Sequence, residues 1–91
     1  MSRTQRVTEN DLATGQIRIP SITKPLFPKT DDEVTVVLRG WKTAAPWRPR
    51  YGPDRERSGV LRIGRQGLAG RVTADEVLDV SVEADGLIVI E

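Results

Sequence analysis

Four arginines fall between Pro46 and Gly59, at positions 48, 50, 55 and 57, in company with three prolines and two glycines. Arginine carries a planar fork of N–H donors that bonds bidentately to phosphate oxygens or to the O6/N7 edge of guanine. The prolines keep the segment extended, so Arg48 and Arg50, two apart, share a face. Arg55 and Arg57 repeat that spacing beyond Gly52-Pro53. Trp47 and Tyr51 would shape the base of such a loop. The plainer alternative puts both rings in the core and leaves the arginines to solubilise a hairpin, and strand alternation does favour the interior for Trp41 or Trp47.

Other chemistry finds little support. The chain has no histidine and no cysteine, which removes the commonest general base, thiolate ligands and disulfides together. Asp31, Asp32, Asp75 and Glu76 are the carboxylates a divalent cation would need, but neighbouring carboxylates in polar loops are ordinarily just solvated. Gly64-Arg65-Gln66-Gly67 lacks the lysine and the strand-to-helix setting of a phosphate-cradling loop. The expectation is a non-catalytic protein with no metal and no cofactor.

Net charge is only +1 over 91 residues, yet it is unevenly arranged. Residues 1–29 carry +3 and residues 30–38 carry −3. Residues 39–72 hold nine basic against two acidic side chains, and residues 73–91 carry −6. A basic middle third is an electrostatic footprint for an anionic partner, although a solvated charged face looks the same by charge alone. Composition at 37% hydrophobic and 30% charged suits one folded domain spanning residues 1–91. The N-terminus has no apolar signal core, and no apolar run approaches the ~20 residues that span a bilayer. An intracellular location is expected: cytoplasm or nucleoid in a prokaryote, nucleus in a eukaryote.

Short strands hold these arginines in place. Residues 4–8 predict a first strand and Glu9–Gly15 a polar turn. Gln16-Ile17-Arg18-Ile19 alternates cleanly, with the isoleucines inward and Gln16 and Arg18 outward, and Pro20 ends it. Ser21–Pro28 predicts one helical turn, with Leu26 and Phe27 as core plugs. Val34–Leu38 reads as a buried strand, followed by a turn at Arg39-Gly40 and an edge or bulged strand from Trp41. Val60–Ile63 is the next strand and residues 65–74 a short helix. Val77–Val82 and Leu87–Ile90 form a hairpin about Asp85-Gly86. The fold class is mainly β, a seven-stranded open pseudobarrel with two short helices, in the order β-β-α-β-β-β-α-β-β.

Three pieces of sequence resemble the B3-like DNA-binding pseudobarrels, found in plant B3 transcription factors and in recognition domains of certain restriction endonucleases. They are Val7-Thr8-Glu9-Asn10-Asp11 leading to Ile19-Pro20 and Phe27-Pro28, then Trp47-Arg48-Pro49-Arg50, then Thr73-Ala74-Asp75-Glu76-Val77. The element order is similar over nearly the whole chain. Pro49 stands where the family carries an aromatic residue, and Gly64–Gly70 replaces its aromatic-rich helix.

The resemblance implies a wrench-like grip on double-stranded DNA by two arms entering the major groove. The first arm, about residues 9–21, would act chiefly through Thr14, Gln16, Arg18 and Ser21. The second, about residues 47–58, would act through Arg48, Arg50, Arg55, Arg57 and Ser58. Implied partners are duplex DNA and a larger nuclease or regulatory complex. From a different class comes a small β-barrel interaction or specificity subunit whose basic loop docks on an acidic protein, or on the −6 segment of another copy. RNA ranks below both, because the rings available for stacking read as core.

Overall fold

The computed structural model describes residues 2–50 and 57–91. The elements in chain order are β1 (Ser2–Arg3), α1 (Glu9–Thr14), β2 (Gln16–Ile19), a 3-10 turn (Lys24–Leu26), β3 (Asp32–Leu38) and β4 (Trp41–Arg48). They continue with β5 (Gly59–Arg62), α2 (Arg65–Leu68), β6 (Asp79–Val82) and β7 (Ile88–Ile90). The strands form one seven-stranded sheet in the order β1-β6-β7-β3-β4-β5-β2. Every pairing is antiparallel except β3 with β7.

The sheet curls until its ends nearly meet. Beyond β1 the chain stays extended and bonds to both sides. Thr4 and Val7 N–H donate to Leu78 and Glu76 carbonyls, while Gln5 N–H donates to Arg18 O at 2.9 Å. The result is a mainly β, barrel-like fold with two short helices, as the alternation predicts. Its interior is filled by Val7, Ile17, Ile19, Phe27, Val36, Leu38, Trp47, Leu61 and their neighbours. Trp47 is the largest of these. Its ring stacks on Phe27 with centroids 4.4 Å apart, and its Nε1–H donates to Pro28 O at 2.8 Å, so the one polar atom of the ring is satisfied inside.

Four local expectations change. Leu26, expected as a core plug, is 38% exposed, while its neighbour Phe27 is buried. No strand forms at residues 4–8, where one was expected; the first strand is Ser2–Arg3, just before them, and the backbone that follows bonds alternately to two neighbours instead of forming one ladder. The polar turn expected at Glu9–Gly15 is helix α1. The Thr8 hydroxyl oxygen caps it by accepting from Asp11 N–H, the Asp11 carboxylate accepts in turn from Thr8 N–H, and Gly15 closes it in the left-handed region at φ 76°. That reciprocal pair is a capping box with aspartate in place of glutamate. The helix expected over residues 65–74 stops at Leu68, where Gly67 and Gly70 weaken continuation.

The terminal hairpin forms as expected about Asp85-Gly86, pairing Val80 with Ile90 and Val82 with Ile88. Arg39 and Gly40 both take positive φ, 47° and 85°, the two-residue reversal whose twist suits a hairpin. Among the described residues no helix is long and apolar enough to cross a membrane.

Candidate nucleic-acid interface

The alternation of β2 decides what faces outward. Ile17 and Ile19 are completely buried, while Gln16 and Arg18 are half-buried on the opposite face. β5 lies between β2 and β4 in the sheet. Arg18 is opposite Val60, and Val60 is opposite Arg48. Directly paired residues share a face, so Arg18, Val60 and Arg48 form one row across three strands. At the usual strand separation the two arginine backbones are about 10 Å apart. Gln16 is opposite Arg62 in the next outward row. Val60 is buried but does not belong to the core cluster, as its outward register requires.

The second segment leaves this row directly. Arg48 and Arg50 are both exposed, on either side of buried Pro49. Arg50 takes φ 55°, so the chain departs from its extended course there, ahead of Gly52-Pro53. Arg48 approaches Asp31 at 4.0 Å with both side chains well exposed, a pairing of little energetic consequence. Arg55 lies outside the described residues. Arg57 is exposed and its carbonyl accepts from Lys24 Nζ at 2.8 Å, and Ser58 Oγ accepts from Gln5 Nε2 at 2.9 Å. These two bonds tie the end of the second segment to the extended N-terminal chain and to the turn that follows β2. Ser21, exposed in that turn, is at the same end of the sheet.

Gln16 is one outward row from Arg18 along β2, about 7 Å by strand rise, and Thr14 lies beyond it at the end of α1. The Thr14 hydroxyl donates to the α1 carbonyl of Asn10 at 2.8 Å, which occupies its proton. Gln16 Nε2 donates to Asp11 Oδ1 at 3.0 Å. Arg18, Ser21, Arg48, Arg57 and Ser58 therefore gather at one end, Gln16 meets Arg18 on Asp11 Oδ1, and Thr14 is outside the group.

Asp11 organises the first segment. It is 2% exposed and accepts from Thr8 N–H, Gln16 Nε2 and Arg18 Nε, the last at 3.0 and 3.1 Å to its two oxygens. Burial alone would raise the carboxyl pKa. The Arg18, Gln16 and Thr8 donors outweigh it and hold Asp11 below its ordinary value. Gly15 lets this corner close: a Cβ there would lie 2.6 Å from Arg65 N, and Gly64 N–H donates to Gly15 O at 2.8 Å.

Two contributors escape sequence reasoning. Arg62 faces outward beside Gln16 and, among the described residues, has no ion pair; its signal was the alternation of Val60-Leu61-Arg62-Ile63. Asp11 was hidden in what reads as a polar turn, although Thr8 three residues before it is a capping-box signal. Among the described residues no group of three or more acidic side chains could hold a metal ion. No protein-family model, curated protein or solved structure matches the chain.

Proposed function

We propose that the chain is a non-catalytic, sequence-preferring module for double-stranded DNA, of the B3-like pseudobarrel kind, with arms at about residues 9–21 and 47–58. The observation that supports this most is the placement of β5 between β2 and β4. It brings Arg18 and Arg48 into one outward row, with Arg57 and Arg62 beside them. Arg48, Arg50, Arg57 and Arg62 supply phosphate contacts that fix orientation, while Arg18 faces base edges. If about four to six phosphates are neutralised, log K falls against log salt with a slope of roughly −4 to −5. Titration of a labelled duplex at several salt concentrations measures it. Sequence-blind binding weaker than micromolar at low salt would sink the reading.

A second reading has its own support. Asp79, Glu83, Asp85 and Glu91 are all exposed on or beside the β6–β7 hairpin, an acidic wall that a basic loop of another copy would fit. Light scattering separates the two: a salt-sensitive dimer with no affinity for a duplex selects the interaction module.

A further inference from the structure

Resting on the duplex-binding reading above, the geometry points to Arg18 as a guanine reader and to Asp11 as the positioning residue that aims it. A guanidinium has a side edge, Nε with one N–H of Nη2, and an end edge formed by Nη1 and the other N–H of Nη2. In Arg18 the Nε–H and one N–H of Nη2 are taken. Nε meets both Asp11 oxygens at 3.0 and 3.1 Å, and Nη2 donates to Arg6 O at 3.1 Å. Nη1 and the second N–H of Nη2 have no partner among the described residues, and the side chain keeps 31% of its exposure.

That leaves donors on two adjacent nitrogens, Nη1 and Nη2, of a held plane. The base whose major-groove edge offers two adjacent acceptors is guanine, through O6 and N7. Adenine and cytosine each present an amino donor against this fork, and thymine a single acceptor beside a methyl group. Asp11 also cancels the net charge of Arg18, so its long-range pull on phosphate is weakened while its short-range hydrogen bonds remain. Holding the guanidinium before binding removes ordering that a free arginine would undergo on contact. The buttress is itself fixed, because Asp11 is buried and its oxygens also serve Thr8 and Gln16.

The test begins with wild-type protein and a pool of duplexes with a randomised core. In an enriched duplex each guanine is replaced in turn by 7-deazaguanine, which removes only the N7 acceptor. One position is expected to weaken wild-type binding about tenfold, within the range for a bidentate contact. Arg18→Ala should bind the unmodified duplex about 10- to 100-fold more weakly and stop responding to the replacement there. Arg18→Lys, with the charge but not the fork, should also lose that response. Asp11→Asn should reduce it to about threefold or less while melting cooperatively. If that variant does not fold, the free wild-type protein answers for Asp11: an Arg18 Nε–H resonance protected from water is expected, and rapid exchange overturns the buttress. An unchanged response at every guanine in Arg18→Ala overturns guanine reading but leaves duplex binding standing. Failure of the wild type to retain any duplex overturns both.

Discussion

A methyl group on residue 59 would collide with the Trp47 indole, so the start of β5 depends on having no side chain at all. Gly59→Ala must displace the largest core ring from its stack on Phe27 and its bond to Pro28. Overpacking of that sort costs roughly 1–3 kcal/mol, which calorimetry would register as a fall in Tm of roughly 5–20 °C for a domain of this size. Outward-facing arginines behave differently. Arg48 and Arg57 are exposed and outside the core, so Arg48→Ala and Arg57→Ala should each leave Tm within the small range of surface substitutions. Each should instead reduce the magnitude of the salt slope for duplex binding by about 1, uniformly across sequences. An arginine that leaves the slope intact makes no phosphate contact.

The reversal between β3 and β4 shows an element held from outside itself. Arg39 sits there at φ 47°, where a non-glycine residue needs support. Its guanidinium meets Glu76 at 2.7 and 3.2 Å and Arg71 O at 2.7 Å, while Thr73 N–H also donates to Glu76. The Arg39 donors first, then Thr73, lower the Glu76 pKa from 4.5 to about 2. Since the folded value is the depressed one, the contact stabilises the fold above about pH 4.5 and the gain is lost as pH falls toward 2. Asp11 acts in the same direction. Thermal melts of Glu76→Gln should show a lower Tm at pH 7 and a flatter profile between those pH values; parallel profiles would refute the assignment. At this scale the sequence reveals strands well, because burial on one side leaves a period of two, as in Gln16–Ile19. It conceals α1, whose polar residues form a helix through reciprocal capping and the packing of Leu12 on the core. It also conceals the partners of Arg39 and Arg18, since contacts such as Arg39 with Glu76 span 37 positions and leave no local pattern.

Across the whole molecule, β6 is flanked on both sides by the ends of the described chain. Ser2 pairs with Val80 on one side, and on the other Val80 pairs with Ile90 while Glu91 N–H donates to Asp79 O. Residues 2 and 91 are therefore about two strand spacings, roughly 10 Å, apart. In the ring of strands, β6 and β7 are on the wall opposite β5. A linker attached at either residue consequently leaves from behind the arginine row, and a tether to a bead or a second protein leaves that row open. The same adjacency makes the barrel a candidate for circular permutation. A flexible linker of about four to six residues from 91 to 2 spans the gap, and a new opening at the exposed Asp85-Gly86 tip cuts no strand. Such a permutant should melt cooperatively and bind a duplex as the parent does, whereas loss of folding would mean that the two ends do not meet across β6.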